Sequence, residues 1–373
     1  MTTIGVPKEI KNHEYRVGLT PSSVRELTAL GHTVFIQHDA GDAIGFSNEH
    51  YIAAGGKILN TAEDIFDQAN MIIKVKEPQL SECSMLKPHQ TLFTYLHLAP
   101  DPEQTKALIA SKAIAIAYET VTDAQGGLPL LAPMSEVAGR MSIQVGAQML
   151  EKGHGGSGIL LGGVAGVAPA NVAILGGGVV GANAARIAAG MGAHVVLMDK
   201  NPRRLGELDL HFKGRAQIIH ANVETIEHYV TTADLVVGAV LVVGAEAPKL
   251  VTKDMLKKMR PGSVLVDVAI DQGGCFETSR PTTHDNPSYV VDGIIHYCVT
   301  NMPGAVARTS AVALNNATLP FILQLAEKGT ERALLANHHL MNGLNICYGH
   351  VTHNAVAEAL GYDYVEGHKA LSL

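Results

Sequence analysis

Residues 171–199, NVAILGGGVVGANAARIAAGMGAHVVLMD, constrain this chain more than any other stretch. They read as strand, glycine turn, helix and second strand. Residues 172–175 form a short apolar run of the kind buried in a parallel sheet, and Gly176, Gly178 and Gly181 then fall on the spacing GxGxxG. Each glycine has a steric purpose. The first permits the tight turn out of the strand, the second lets backbone approach a pyrophosphate, and the third lets the helix pack closely on the sheet. The alanine-rich helix that follows aims its N-terminal amides and positive dipole end at the phosphates. Asp199 closes the second strand, where a carboxylate accepts hydrogen bonds from an adenosine ribose and repels a 2′-phosphate, so NAD is expected rather than NADP. Lys200, Arg203 and Arg204 stand close enough to weaken that preference.

The same region raises the question of a membrane, because residues 153–185 contain no Asp, Glu, Lys or Arg. That exceeds the ~20 residues a helical span needs. Ser157, Pro169, Asn171 and many glycines break the run, however, so it cannot form the continuous apolar helix that a bilayer demands. The formal charge of −7 is spread along the sequence without a basic block, which argues against nucleic acid or anionic lipid as a partner. Cys83, Cys275, Cys298 and Cys347 show neither CxxC spacing nor the density of a disulfide scaffold. The N-terminus lacks the apolar core of a signal peptide, so a reducing cytoplasm is expected.

At 373 residues the chain exceeds the size at which one core usually stops growing, and two domains are expected. Strands are predicted at 4–6, 33–37, 71–75, 91–95 and 113–118, separated by helical stretches at 22–30 and 102–110 that are capped by Thr20 and Asp101. Strands alternating with helices mean parallel βαβ units. A helix at 134–150 leads to the glycine turn, and strands at 172–175, 194–199, 217–220, 234–240, 263–268 and 293–299 make six, in the order 3-2-1-4-5-6 of a doubly wound fold. From 309 onward the pattern is helical and too short for a third core. The expected architecture is therefore α/β, with two doubly wound Rossmann-like domains and a cleft between them. The cofactor domain (133–306) is inserted in a discontinuous substrate domain (1–132 and 307–373).

Chemistry in open α/β sheets collects beyond the carboxyl ends of strands, and four residues are expected there. Arg16 lies in the loop after the first strand, Lys76 and His97 end two others, and Asp271 follows the fifth strand of the cofactor domain. Arg16 offers a planar fork for a carboxylate, and Lys76 a point charge for a carboxylate or carbonyl. His97 titrates near neutrality, and Asp271 can take a proton from water or amine. Each also has an ordinary structural role available: Lys74 and Lys76 alternate on one strand as edge charges would, a single histidine in an apolar run is commonly hydrogen-bonded structure, and Asp271 before two glycines can set a turn. Their common position at strand ends favours the chemical reading. Glu9 and Glu14 are simplest as partners of nearby Lys and Arg. The pairs His338/His339 and His350/His353 lack the cysteine or carboxylate set that would complete a metal site, so no metal is expected.

The chain resembles the bacterial NAD-dependent L-alanine dehydrogenases over essentially its whole length. The stretches that carry the resemblance are GVPKEIKNHEYRVGLTP, KVKEP, FTYLHLA, AYET, PMSEVAGRMS, ILGGGVVG, VDVAIDQGG, HYCVTNMPGAVARTS and the late GLN. It implies reversible oxidative deamination of L-alanine to pyruvate and ammonium, and a cytoplasmic homo-oligomer, most often a hexamer. It further implies that Arg16 and Lys76 bind the substrate, that His97 is an acid/base group, and that Asp271 assists water or ammonia transfer. Cofactor contacts are implied for Ser135, Val179, Val180, Asp199, Arg204, Val240, Leu241, Val268, Ala269, Ile270, Asp271, Arg280, Val299, Thr300, Asn301 and Met302, beside the turn glycines. One departure is Ala221, where a small hydroxyl residue is expected, so a contact there would need backbone or Asn222. The residues leave open whether His97 or Lys76 is the main base. Competing readings are the NAD-binding subunit of a proton-translocating transhydrogenase, a saccharopine-type dehydrogenase, and a catalytically silent NAD sensor. The chain lacks the membrane segments and NADP-binding partner of the first, and the intact set of Arg16, Lys76, His97 and Asp271 disfavours the last.

Overall fold

A computed structural model describes residues 1–240 and 247–372. They divide into two compact units, Met1–Pro133 with Val306–Leu373, and Met134–Ala305. The first unit opens with six strands: β1 (Thr3–Val6), β2 (Thr33–Gln37), β3 (Lys57–Leu59), β4 (Met71–Ile73), β5 (Thr91–Thr94) and β6 (Ile114–Ala117). They pair in parallel in the order β3-β2-β1-β4-β5-β6. Strands β4, β5 and β6 are buried on both faces, which is why their sequences run apolar rather than alternating. By contrast β2 alternates buried and half-buried positions. The short β3 escapes sequence reading because it is three residues long with an exposed lysine at an edge. Helices Pro21–Ala29 and Pro102–Ser111 begin as expected, with the Thr20 hydroxyl accepting the Ser23 N–H and the Asp101 carboxylate accepting the Gln104 N–H.

Helix Ala132–Met149 carries the chain into the second unit. Its strands are β7 (Asn171–Leu175), β8 (His194–Asp199), β9 (Gln217–His220), β10 (Leu235–Gly238), β11 (Val264–Asp267), β12 (Ser288–Val291) and β13 (Ile294–Tyr297). Read from one edge, the order is β9-β8-β7-β10-β11-β13-β12. The six expected strands thus follow the 3-2-1-4-5-6 order in parallel. The seventh, β12, is an added antiparallel edge strand. Its signal is Asp292-Gly293, both with positive φ (51° and 78°), the two-residue hairpin turn whose twist suits antiparallel strands.

The chain returns to the first unit through helix Ala307–Lys328, but the tail is not all helical as its pattern suggests. Strand β14 (Leu344–Cys347) pairs antiparallel with β6, and β15 (His350–Val351) pairs with β14, so an eight-stranded sheet results. Tyr348 and Gly349, again both at positive φ, make the hairpin turn. Asn345 interrupts the apolar run and hides the strand. Inside the sheet its amide is satisfied by the Thr120 hydroxyl and the Gly343 carbonyl, each at 2.9 Å. Because Val351 is taken by β15, the following helix starts only at Asn354. The tail is held by burial: Ile346, Val351 and Val356 share one apolar cluster with Ile72, Leu92 and Leu108. Each such side chain contributes about 1.5–3 kcal/mol when fully buried. Among the described residues no helix is long and apolar enough to cross a membrane.

Lys74 departs from the edge-charge reading. It sits just past β4, in the middle of the sheet, and is wholly buried between Glu9 (3.0 Å) and Glu82 (2.8 Å). Desolvation opposes its charge, yet two carboxylates hold it above the ordinary lysine value. Burial pushes the Glu9 carboxyl up despite Lys74, since one cation answers two anions. Replacing Lys74 by Met leaves both carboxylates buried without a cation. The expected loss is about 3–5 kcal/mol, measured by urea denaturation; a loss below ~1 kcal/mol would mean that the cation does not hold the cluster together.

Candidate active site

In the second unit the glycine turn has the geometry its spacing requires. Gly176 has φ +104°, and a Cβ there would lie 2.7 Å from the Ala239 carbonyl oxygen. A Cβ on Gly181 would lie 1.8 Å from the Gly176 carbonyl oxygen, so the helix can approach the strand only with glycine there. Gly178 differs. Nothing stands within 4 Å of its Cβ position, and it begins helix Val179–Gly190 with no side-chain cap. Unmet N–H groups, open space and a dipole's positive end together fit a pyrophosphate. Val179 and Val180 are the first residues of that helix, and Val179 is exposed.

The Asp199 carboxylate accepts the Gly177 N–H at 2.7 Å and the Asn201 N–H at 2.8 Å. Arg204 Nε donates to the Gly177 carbonyl at 2.7 Å, while its Nη1 lies 3.0 Å from Glu207, which also pairs with Arg203. Both arginines that could soften the preference for an unphosphorylated ribose are therefore engaged by a carboxylate. Ala221 donates its N–H to the Asp199 carbonyl. The Asn222 side chain caps the next helix through the Thr225 N–H, so it has a structural task already. Ser135 is half-buried in the first turn of helix Ala132–Met149. Four residues later, Gly139 packs so tightly that a Cβ would lie 2.2 Å from the Val180 carbonyl oxygen, which sets Ser135 on the face turned toward the glycine turn.

The remaining positions follow strand ends. Val240 comes shortly after β10, and Leu241 lies outside the described residues. Val268, Ala269, Ile270 and Asp271 form a 3₁₀ turn directly after β11, with Asp271 exposed. This turn hangs from Asp267, whose buried carboxylate accepts the N–H groups of Ala269 (3.1 Å) and Cys275 (2.9 Å) and the Ser279 hydroxyl. Burial still pushes the Asp267 carboxyl up. Val299, Thr300, Asn301 and Met302 follow β13. Asn301 has φ 60°, and the Thr300 N–H donates to the Thr282 carbonyl. The Arg280 guanidinium stacks 4.0 Å above the Tyr289 ring, whose hydroxyl accepts the Arg280 N–H.

In the first unit, Arg16 is buried and bound to Glu14 through Nε and Nη2, each at 2.7 Å. Burial works against this cation, but Glu14 holds it above its ordinary value, and burial likewise fails to prevent Arg16 from lowering the Glu14 carboxyl. The pairing expected of Glu14 is thereby met. Gly18 brings the loop against β4, since a Cβ there would lie 2.4 Å from the Ile73 carbonyl oxygen. Asn315, on the returning helix, clamps the same loop through the Gly18 carbonyl and the Thr20 N–H. Lys76 follows β4, half-buried, and among the described residues its ammonium has no hydrogen-bond or ion-pair partner. Burial lowers its pKa, and Arg16 and Lys11 add to this against Glu77 and Glu14. Tyr95 directly follows β5, buried, with its hydroxyl on the Leu130 carbonyl. The His97 ring stacks parallel to it at 5.8 Å. Arg16 is coupled electrostatically to Lys76 and to Tyr95, the tyrosine on which the His97 ring stacks. Asp271 belongs to the second unit.

Residues 5–138 match the family described as Alanine dehydrogenase/PNT, N-terminal domain, and residues 142–354 match Alanine dehydrogenase/PNT, C-terminal domain. The chain belongs to the alanine dehydrogenase/PNT family. It is 59% identical over 363 residues to the alanine dehydrogenase of Halomonas elongata, across 97% of this chain and 98% of that protein. A solved L-alanine dehydrogenase structure is 50% identical, with a TM-score of 0.94 over 96% of this chain and 99% of that one. A transhydrogenase from Sinorhizobium meliloti, 23% identical with a TM-score of 0.82 over 94% of this chain and 100% of that one, shares the fold. Family and glycine turn together imply a nicotinamide nucleotide cofactor.

Motif reading of this alanine dehydrogenase/PNT family member passes over the residues that hold the site in place. Tyr95 stands two positions before His97 and reads only as part of an apolar strand. Asp267 sits between valines in VLVDVAID, and Glu119 lies in AYET, without a sign of what either grips. Among the described residues no group of three or more His, Cys, Asp or Glu could hold a metal ion. The His338 and His339 rings lie 3.8 Å apart, tilted by 39°, and His339 Nδ1 bonds the Thr122 hydroxyl. Substituting Gly181 by Ala must push the helix from the turn, and overpacking of about 1–3 kcal/mol is expected to weaken NADH binding roughly tenfold. Titration of NADH fluorescence measures this, and an unchanged Kd would separate the turn's close packing from cofactor affinity.

Proposed function

We propose that this chain catalyses the reversible NAD-dependent oxidative deamination of L-alanine to pyruvate and ammonium. The observation that carries the reading is a half-buried ammonium, Lys76, with no hydrogen-bond or ion-pair partner among the described residues and coupled electrostatically to the buried Arg16. Two coupled cations suit a small molecule that carries a carboxylate, and an imidazole in the same unit suits one that must exchange protons. The name of a relative 59% identical along nearly its full length selects alanine among such molecules.

Arg16, oriented by Glu14, and Lys76 hold the substrate carboxylate and the group at its Cα. Gly178, the amides that open helix Val179–Gly190, and Asp199 would hold the dinucleotide, with Ser135, Val240, Leu241, the Val268–Gln272 turn, Arg280 and residues 299–302 around it. NAD, when bound, supplies the acceptor for the hydride that leaves the alanine Cα. The substrate ammonium would first give up a proton, and the freed nitrogen lone pair would form an iminium as the Cα–H pair leaves. Water then adds to the carbon and gives one proton to His97 or Asp271, and that proton passes to the amine. The C–N bond breaks as the carbinol hydroxyl gives its own proton up and becomes the carbonyl, the amine leaving as ammonium. Alanine, NAD⁺ and water thus yield pyruvate, NADH, ammonium and one proton. Asp199 without an unpaired arginine beside it favours NAD over NADP. The resemblance supports a cytoplasmic homo-oligomer, a hexamer, and four free, buried cysteines suit a reducing compartment.

NADH is expected to be oxidised with pyruvate plus ammonium, and NADPH far more slowly. Absence of turnover with NADH would end this reading. His97→Ala and Asp271→Ala are each expected to lower kcat by about 10²-fold or more while NADH binding persists, and near-normal turnover in either removes that residue from the mechanism. The lowered pKa of Lys76 gives a further outcome. Its positive form is lost at a pH below the ordinary lysine value of 10.5, so KM for pyruvate should rise on the alkaline side before that point. A Lys76→Arg variant, charged throughout, should lack that rise in a KM-against-pH series.

A further inference from the structure

We infer that Glu119 is the positioning residue for His97, fixing the backbone turn that presents the imidazole. The inference rests on the acid/base role proposed for His97.

His97 adopts φ 48°, in the left-handed region that residues other than glycine enter rarely and at a cost of about 1–3 kcal/mol. A turn of that kind persists only where its surroundings fix it. Tyr95 stacks on the His97 ring, but the polar restraint on the backbone comes from another strand. Glu119 lies in the 3₁₀ turn Tyr118–Thr120 directly after β6, and β6 runs parallel beside β5. Its carboxylate therefore reaches the carboxyl end of β5. Oε1 accepts the His97 N–H at 2.6 Å, and Oε1 and Oε2 each stand 3.2 Å from the Leu96 N–H. Charge-assisted bonds of this kind are about twice as strong as neutral ones. Two successive N–H groups held by one carboxylate fix the direction in which the chain leaves β5, and with it the place of the His97 ring.

The same carboxylate lies 3.8 Å from His97 Nδ1, so a proton carried there faces a negative charge. Tyr95 and His353 also lie within its electrostatic reach. The Tyr95 hydroxyl is already directed to the Leu130 carbonyl. His353 comes from the segment after β15, and its buried Nδ1 has no hydrogen-bond partner among the described residues. Burial keeps the His353 imidazole below its ordinary value in spite of Glu119.

The test is a double-mutant cycle on the full chain: Glu119→Ala, His97→Ala and both together, assayed for kcat and KM with pyruvate, ammonium and NADH. Glu119→Ala is expected to lower kcat about 10–100-fold, the range of a misplaced catalytic group, with KM for pyruvate and the Kd of NADH changed less than about threefold. In the His97→Ala background it should have no further effect, since a residue that acts through another is silent once that other is gone. Glu119→Gln keeps a carbonyl oxygen for the same N–H groups and should recover most of the lost kcat. If Glu119→Ala does not fold, the cycle is run with Glu119→Gln, whose smaller loss should likewise vanish without His97. A kcat for Glu119→Ala within twofold of the parent, or an equal fractional loss with and without His97, overturns the inference. Near-normal turnover of His97→Ala alone overturns instead the role assigned to His97, so the two failures are told apart.

Discussion

Parallel strands cannot be joined by tight turns, and most of this structure follows from that constraint. Each connection must cross back over the sheet, usually as a helix, and right-handed crossovers leave the strand-to-helix loops together at the carboxyl edge. Both units have the strand order 3-2-1-4-5-6 in their parallel part, so each has a place where neighbouring crossovers diverge. In the second unit that place lies between β7 and β10, where Gly176 approaches Ala239 and the turn runs on to Gly178. In the first it lies between β1 and β4, where the loop carrying Arg16 passes over Ile73. The antiparallel strands β12, β14 and β15 finish the edges without disturbing either place.

Charge in the first unit is arranged in two registers. Lys74 and Glu9 with Glu82 are buried and answered, and they tie the loop after β1 to the end of β4, since Glu9 also accepts the Val75 N–H. Arg16 and Glu14 form a second buried pair beside them. Lys76, two residues from Lys74, has no such partner among the described residues. β4 ends at Ile73, and beyond it Lys74 is wholly buried while Lys76 is half-buried.

Much of the fold was legible because period and turn chemistry are local. The glycine spacing, the caps at Thr20 and Asp101, and the apolar runs of the central strands each express a rule acting within a few residues. The hairpin turn at Asp292-Gly293 was missed, because Gly293 read as the start of the strand at 293–299. What escaped were elements whose identity depends on a distant partner. Strand β14 contains Asn345 and reads as irregular until Thr120 and β6 lie beside it. Strand β3 is too short and too exposed to announce itself.

The sequence by itself determined the residue types at the strand ends, the turn that can admit a pyrophosphate, and the parallel layering, because side-chain period, glycine sterics and capping operate between near neighbours. Only the tertiary structure decided which charges meet. Glu119 reaches His97, and Asn315 reaches Gly18, across stretches of chain that carry no mark of each other. Those pairings exist because parallel strands bring their ends side by side and because a returning helix buries its apolar face on the first sheet. Hydrogen bonds and ion pairs then form between whichever polar groups that packing places within reach.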